Sequence, residues 1–341
     1  MEKKDILEKC REYNGSNDYL YYRICREQTD TSAIICAPCN YLYRNDENQF
    51  FGTCIYMSEN NLSDGMRHAF PTVKELFGTR MAKVAELTDG QGTRSLDNRE
   101  IRELPFLHRI DSEPRFQSPF IPAYTCFECA DVTEILDPRT ALADRCRRNG
   151  EFHSLIDAFA ERFGVGTDRI GLVGSAALGT ETPNDYDIVF YGDAAELWRI
   201  NGVMAEINRK QGTPKVGGLP LPFRILFEGR IIDTLKVYDS PASAGVHAAR
   251  LALPDVPFRC RVTDDTASLQ VEPYLQVDGG DYSSLILAET FFQSVLRKGD
   301  VIEGRGDIIV WEHGGKEERT MLCREPFRQL QDFTRYFRRY E

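Results

Sequence analysis

The stretch from residue 171 to residue 193, GLVGSAALGTETPNDYDIVFYGD, constrains the fold more than any other part of the chain. A short apolar run leads into a Gly-Ser turn, and a second apolar run contains Asp185 and Asp187. Residues two apart in a strand share a face, so these two carboxylates project together while Ile188 faces a core. The pattern predicts a strand, a tight turn, the start of a helix and a second strand with an acidic face.

Two close carboxylates repel each other unless a positive charge lies between them. Mg²⁺ takes oxygen ligands, commonly carboxylates together with substrate phosphates, and paired metal ions suit phosphoryl chemistry. A third carboxylate would complete such a site, and Asp233 is the best candidate because it is the one acid in the apolar run RIIDTLKVY. Glu228 is an alternative, but it lies at a predicted hairpin tip, where a solvated turn residue is expected.

The turn before the acidic strand predicts a phosphate-binding element. Gly174 allows close approach of the backbone, and Ser175 supplies a hydroxyl donor. The sequence that follows them looks like the N-terminus of a helix, where backbone N–H groups favour an anion. Further cations would be needed for a triphosphate, and the candidates are Arg224, Lys236, Arg209, Lys210 and Lys215. Lys236 has an odd spacing from Asp233, so a regular strand would point it away from the carboxylates.

These residues together resemble the motif of the DNA polymerase β-like nucleotidyltransferase superfamily. That motif is a hydrophobic residue and Gly-Ser, a spacer, Asp-x-Asp in an apolar strand, and a third Asp on a later strand. The matching residues are Val173-Gly174-Ser175, Asp185-Tyr186-Asp187-Ile188-Val189 and Asp233. The resemblance extends over residues 155–240. One departure is Asn184, which stands where the family usually has Ser, and it leaves the three acids untouched.

The resemblance implies a nucleoside triphosphate substrate and two Mg²⁺ ions held by Asp185, Asp187 and Asp233. It also implies transfer of a nucleotidyl group to an acceptor hydroxyl, with pyrophosphate as the leaving group. In this reading Asp185 and Asp187 bind both metal ions. Asp233 binds the ion that activates the acceptor and helps to deprotonate the hydroxyl.

The order of segments along the chain also resembles predicted archaeal and bacterial nucleotidyltransferases. We therefore expect an α+β protein with a β-containing accessory domain at residues 1–136 and a catalytic core at residues 137–240. That core would be a mixed β-sheet with flanking helices. Residues 241–341 would form a β-rich domain that ends in a basic, aromatic tail. Locally, TVKELFGTRMAKVAEL is helix-like, helices begin at Asp137 and Asp193, and a hairpin turns at Glu228-Gly229.

Composition narrows the class of protein. The 341 residues carry a formal charge of −11, which argues against constitutive, non-specific binding to long nucleic acid. The first residues are charged and lack the apolar segment of a signal peptide, and no apolar run has the length of a membrane span. Ten cysteines without a secretory signal indicate a reducing compartment. We therefore expect a cytoplasmic enzyme with no membrane partner.

Two C-x-x-C pairs, Cys36 with Cys39 and Cys126 with Cys129, are candidate ligands of a structural Zn²⁺ site. The pairs are much farther apart than in compact zinc ribbons, so their spacing gives little support. A continuous strand would also send positions 36 and 39 to opposite faces. The alternative is that these cysteines pack as small apolar residues.

The tail REPFRQLQDFTRYFRRYE interleaves arginines with aromatic side chains. Its aromatic residues would share one face of a helix, which favours docking onto the protein or a partner subunit, including a second copy. Alternatively, the hydroxyl of Tyr340 would act as an acceptor that primes nucleotide addition on the protein itself.

The sequence thus predicts a template-independent, Mg²⁺-dependent nucleotidyltransferase that takes an NTP or dNTP, since no template-binding module is recognisable. Its product would be an oligonucleotide, such as a signal of the kind made by antiphage nucleotidyltransferases, which share this core. One alternative is a single transfer to a tRNA end or a protein hydroxyl. Another is a scaffold that binds nucleotide without turnover.

Overall fold

The structure, a computed structural model, mixes helices with several β-sheets, in keeping with the α+β class predicted from the sequence. It describes residues 3–14, 20–26, 31–37, 48–70, 72–90, 92–96, 100–101, 104, 125–212, 214–216, 219–220, 223–239, 250–270, 273–287, 293, 296–313, 316–323 and 338–340. Within these residues, no helix combines the length and the apolar character needed to cross a lipid bilayer.

The first third of the chain forms a sheet with a helix against it. Its elements are α1 (Lys3–Asn14), β1 (Leu20–Arg26), β2 (Thr31–Ala37), β3 (Gln49–Ser58), α2 (Asp64–Ala69), β4 (Val73–Leu76), β5 (Thr79–Lys83), β6 (Glu86–Asp89), β7 (Gly92–Ser95), β8 (Thr125–Glu128) and β9 (Val132–Leu136). The strand order is β4-β5-β3-β2-β1-β9, with β8 also paired to β3, while β6 and β7 form a separate hairpin. We call the larger assembly the N-terminal sheet.

The segment TVKELFGTRMAKVAEL is a β-hairpin, so the helix predicted there is wrong. Strand β4 pairs antiparallel with β5 across a turn at Phe77 and Gly78, both of which have positive φ. Such a turn cannot continue a right-handed helix. Leu76 and Met81 are buried on opposite sides of the turn. The segment looks helical in sequence because Val73, Leu76, Phe77, Met81 and Val84 recur at steps of three or four residues.

The central part of the chain carries the predicted motif. Its elements are α3 (Pro138–Arg148), α4 (Gly150–Phe163), β10 (Ile170–Val173), α5 (Gly174–Ala177), β11 (Asp185–Gly192), α6 (Ala194–Gln211), β12 (Lys215–Val216), β13 (Leu219–Pro220), β14 (Arg224–Phe227) and β15 (Arg230–Tyr238). Asp137 caps α3 and Asp193 caps α6, each accepting a hydrogen bond from a backbone N–H in the first turn. The hairpin turn at Glu228-Gly229 is confirmed, with positive φ at both residues.

Strands β10, β11, β15 and β14 form a four-stranded sheet in that order, which we call the central sheet. Strands β11 and β15 are parallel, and the two outer pairings are antiparallel. One face packs against α4 and α6 through a cluster of aromatic and aliphatic side chains that includes Phe159 and Phe190, whose rings lie 5.5 Å apart. We call this the helix face.

The opposite face of the central sheet packs against the N-terminal sheet. Val189, Tyr191 and Val237 of the central sheet share one apolar cluster with Tyr56 and Met81 of the N-terminal sheet. In β11 and β15, side chains alternate between the two faces, so this cluster lies on the face that also carries Asp185, Asp187 and Asp233. We call it the carboxylate face.

The described residues of the last part of the chain lie mostly in β-strands. Its strands are β16 (Arg250–Asp264), β17 (Tyr274–Asp278), β18 (Ser284–Leu287), β19 (Val301–His313), β20 (Lys316–Cys323) and β21 (Arg338–Tyr340). They form a six-stranded sheet in the order β16-β17-β18-β20-β19-β21. Leu269 joins the core cluster on the helix face, and the Arg297 guanidinium lies 3.8 Å from the ring centroid of Trp198. These contacts attach the C-terminal part to the central one.

Candidate functional site

The three predicted acids lie on neighbouring strands. Asp187 of β11 is the direct register partner of Asp233 of β15, and Asp185 lies two residues before Asp187 on the same face. Asp185 is partly exposed and Asp233 is mostly buried, with 35% and 14% of their side-chain surface accessible. The parallel pairing therefore brings together residues that are 46 positions apart in sequence (187 to 233).

Arg224 is held by two of these acids. It lies opposite Asp233 in the antiparallel pairing of β14 with β15. Its Nε donates a hydrogen bond of 2.5 Å to Asp233 Oδ1, and its Nη2 donates to Asp233 Oδ2 and, at 3.1 Å, to Asp185 Oδ2. This bidentate arrangement raises the pKa of Arg224, first through the hydrogen bonds to Asp233. The predicted phosphate ligand Arg224 thus contacts the acids themselves.

Burial and mutual repulsion govern the charge of the acids. The pKa of Asp187 is raised to about 7, first by burial and then by the negative charges of Asp233 and Asp185. The pKa of Asp233 is also raised, because its burial outweighs the hydrogen bonds from Arg224. The positive charges of Arg224 and Lys83 act in the opposite direction on Asp187. An added cation at this place would favour the ionised form of both acids.

The Gly-Ser turn lies against Asp187. Gly174 has φ of 67°, and a Cβ atom at this position would overlap the carboxylate of Asp187. The local requirement for glycine is therefore both conformational and steric. Ser175 follows in α5, which is a single turn, and its side chain is partly buried.

The N–H of Gly174 has a partner that the sequence did not indicate. It donates a hydrogen bond of 2.8 Å to the hydroxyl of Tyr21, on β1 of the N-terminal sheet. Burial raises the pKa of Tyr21 well above its usual value, and Cys36 and Asp187 add to this effect. Tyr21 therefore stays a neutral phenol that fixes the turn. Within the predicted phosphate-binding turn, this N–H instead joins the two sheets.

The N-terminal sheet also brings polar groups close to the carboxylates, and sequence analysis missed all of them. Tyr56 of β3 and Lys83 of β5 are register partners, and Tyr56 belongs to the cluster between the two sheets. Lys83 Nζ donates a hydrogen bond of 2.6 Å to Glu86 Oε1. Burial raises the pKa of Tyr56 to about 12, and the charges of Glu86 and Asp187 contribute.

Lys74 of β4 is another polar residue of the N-terminal sheet that lies close to the carboxylates. Its pKa is lowered first by burial and then by the neighbouring charge of Lys83, while Asp185, Glu86 and Asp187 oppose this shift. For Lys74, Lys83 and Glu86, the only signal in the sequence is the run of charges in TVKELFGTRMAKVAEL. Read as a helix, that segment placed no lysine beside the aspartates.

Lys236 is not brought to the carboxylates. It lies on the helix face, fully buried, and its Nζ donates a hydrogen bond of 3.2 Å to Thr234 Oγ1. Burial alone lowers its pKa to about 7. Of the other basic candidates, Arg209 is exposed and Lys210 is paired with Glu206 at 2.6 Å, while the side chain of Lys215 lies outside the described residues.

The cysteine pairs are described only in part. Cys36 is buried in the cluster between the two sheets, whereas Cys129 is buried in the cluster on the other side of the N-terminal sheet. Cys39 and the side chain of Cys126 lie outside the described residues. The two described cysteines are therefore separated by the sheet and do not share a site.

Tyr340 lies in β21, at the edge of the C-terminal sheet. The backbone of β21 pairs with β19, where Tyr340 is the register partner of Val301. Residues 324–337 of the tail lie outside the described residues, as does the Tyr340 side chain. For Tyr340 to act elsewhere, β21 would first have to leave the sheet.

The residues of the carboxylate face suit Mg²⁺ in their chemistry, because the available donors are carboxylate oxygens and the acids carry more negative charge than Arg224 offsets. In the conformation seen here, no group of three His, Cys, Asp or Glu side chains within the described part of the chain is arranged to hold a metal ion. Arg224 holds both oxygens of Asp233 and one of Asp185. A metal ion would have to displace this guanidinium.

No family model matches the chain, and searches of curated proteins and of solved structures likewise found no match.

Proposed function

We propose that the protein is a Mg²⁺-dependent nucleotidyltransferase that moves a nucleotidyl group from an NTP or dNTP to an acceptor hydroxyl, without a template. The observation that carries this proposal is the pairing of Asp187 beside Asp233, with Asp185 on the same face and the Gly174 turn against Asp187. The resemblance to the nucleotidyltransferase superfamily implies three acids near one another, and this pairing supports the proposal.

The chain's own residues would divide the work among them. Asp185, Asp187 and Asp233 would hold Mg²⁺, which when bound supplies a counter-charge for the phosphates and for the attacking oxygen. Asp233, whose pKa is raised mainly by burial, is suited to accept the proton of the acceptor hydroxyl. Ser175, next to the turn, would donate its hydroxyl hydrogen to a phosphate oxygen. Arg224, once released from Asp233, would supply a positive charge beside the carboxylates for the same phosphates.

The direct test is release of pyrophosphate by the full chain with Mg²⁺ and each NTP and dNTP in turn. The expected result is release with at least one nucleotide, and a labelled product that carries the nucleotidyl group. Product length then separates an oligonucleotide from a single transfer to a tRNA end or a protein hydroxyl. Absence of pyrophosphate with every nucleotide, with oligonucleotide, tRNA and the protein itself each supplied as acceptor, would refute the proposal in favour of a binding scaffold.

A further inference from the structure

The edge of the N-terminal sheet carries a row of polar residues on the face that packs against the central sheet. Lys74 is the register partner of Met81, and Lys83 lies two residues beyond Met81 on the same strand. Both lysines therefore share the face of Met81, which is buried in the cluster between the two sheets. Tyr56, the register partner of Lys83, lies in that cluster as well.

This row continues the interface towards the aspartates. Along β11, Val189 and Tyr191 are packed in the interface cluster, and Asp187 and Asp185 precede them on the same face. The carboxylates thus lie where the contact between the two sheets gives way to polar side chains. The lysines lie across the interface from this strand, because they share the face of Met81, which packs in the same cluster as Val189 and Tyr191. The positive charge of Lys83 also acts to lower the pKa of Asp187.

Each lysine has donors to spare for a ligand. An ammonium group has three N–H donors, and Glu86 takes one from Lys83. Glu86 is itself held by Thr72, whose hydroxyl donates a hydrogen bond of 2.6 Å to Glu86 Oε2. The ammonium group of Lys74 forms no hydrogen bond or ion pair with any residue that the structure describes. Lys83 is therefore held in place by Glu86, while the ammonium group of Lys74 can still donate hydrogen bonds to a ligand.

The balance of charge indicates whether Lys74 and Lys83 only neutralise the aspartates or also bind a ligand. Without metal ions, Lys74, Lys83 and Arg224 face Asp185, Asp187, Asp233 and Glu86, and the charges nearly cancel. Once divalent cations neutralise the aspartates, Lys74, Lys83 and Arg224 remain with Glu86 as the one acid of this group. These positively charged side chains then favour the binding of an anion. Phosphate oxygens are strong acceptors for an ammonium group.

We propose that Lys74 and Lys83 bind the phosphates of the nucleotide, so that the N-terminal sheet forms the second wall of the active site. This inference rests on the proposed function, because that function supplies the nucleotide. The polyphosphate lies between the lysines on one side and the aspartates with their metal ions on the other. The accessory domain thereby takes part directly in substrate binding.

The test is calorimetric titration of the full chain with inorganic tripolyphosphate in the presence of Mg²⁺. Each of Lys74→Gln and Lys83→Gln is expected to weaken binding about tenfold, the effect of one charge-assisted hydrogen bond. The matched control is Lys9→Gln, because Lys9 is an exposed lysine on α1. Lys74→Arg keeps the charge and is expected to bind within about threefold of the unchanged protein. Thermal unfolding of each variant verifies that the chain is folded.

The outcomes separate this inference from the proposed function. Tripolyphosphate affinity that stays within about twofold in both folded glutamine variants would overturn the lysine assignment. If those variants still release pyrophosphate with an unchanged KM for the nucleotide, the proposed function stands. The assignment of Lys74 and Lys83 to phosphate binding is then refuted. If the unchanged protein releases no pyrophosphate but the lysine variants lose tripolyphosphate binding, the anion site stands and the proposed transfer reaction does not.

Discussion

The two faces of the central sheet each bury a charged side chain, but they surround it differently. On the carboxylate face, Asp187 lies among two other acids, Arg224 and Lys83, and its pKa reflects all of them. On the helix face, Lys236 lies three residues beyond Asp233, and its pKa reflects burial alone. A buried charge among other charges can exchange partners and bind ions, whereas a buried charge with no ionic partner only costs stability.

The largest expected effect breaks the carboxylate face. Replacing Asp185 and Asp187 together by alanine should lower the rate of pyrophosphate release by about a thousandfold or more, since it removes several kcal/mol of charge stabilisation. Tyr186→Phe is the matched control on the helix face, because Tyr186 lies between the two acids and packs against Phe152 with ring centroids 4.8 Å apart. Activity that survives the double change would show that the site lies elsewhere.

The next effect tests the turn against Asp187. Gly174→Ala should lower the free energy of unfolding by about 3 kcal/mol, because a side chain there is strained by the positive φ and overlaps Asp187. Gly179→Ala is the control, since Gly179 also has a positive φ but nothing within 4 Å of the added Cβ, and it should cost only about 1 kcal/mol. Urea unfolding measures both. Equal losses would mean that contact with Asp187 is unimportant.

On the helix face, Lys236→Met should stabilise the protein by about 2 kcal/mol near neutral pH, because it removes a buried ammonium group. The folded chain gives up this proton near pH 7, and the unfolded chain keeps it up to about pH 10.5. The destabilising effect of Lys236 is therefore fully present below pH 7 and fades as the pH rises to about 10. Urea unfolding near pH 7 and near pH 10 should show the larger gain at the lower pH.

Lys9→Met, at an exposed lysine of α1, is the control for this series. Its effect on the free energy of unfolding should be small at both pH values. A gain from Lys236→Met that is the same at both pH values would show that Lys236 is not held in the folded chain with a lowered pKa.

The smallest expected effect tests whether Arg224 competes with a metal ion for the acids of the carboxylate face. Arg224→Met should tighten the binding of Mn²⁺ by about tenfold, because the guanidinium no longer competes for Asp233 and Asp185. Calorimetry with the metal ion alone measures this, in the absence of nucleotide. Arg230→Met serves as the control, since Arg230 is exposed on the same strand as Asp233 and pairs with Glu151. Weaker Mn²⁺ binding in Arg224→Met would mean that Arg224 supports the site instead of competing for it.

Local sequence patterns were sufficient for the elements of the central sheet. Alternation of apolar and acidic residues in DYDIVFYG, the cap at Asp193 and the Glu228-Gly229 turn each depend on neighbours a few residues away. The position of Lys236 on the helix face also follows from its odd spacing from Asp233. Such features can be predicted from sequence because strand alternation, helix capping and turn conformation are properties of short segments.

What the sequence by itself determined is the acidic strand, its glycine turn and the faces to which their side chains belong. The tertiary structure alone decided that β4 and β5 form a hairpin, that Tyr21 accepts the hydrogen bond from Gly174, and that Lys74 and Lys83 lie opposite the aspartates. Tyr21 and Gly174 are 153 positions apart. No local pattern encodes a contact at that distance, because it arises only when two separately formed sheets bury their apolar faces against each other.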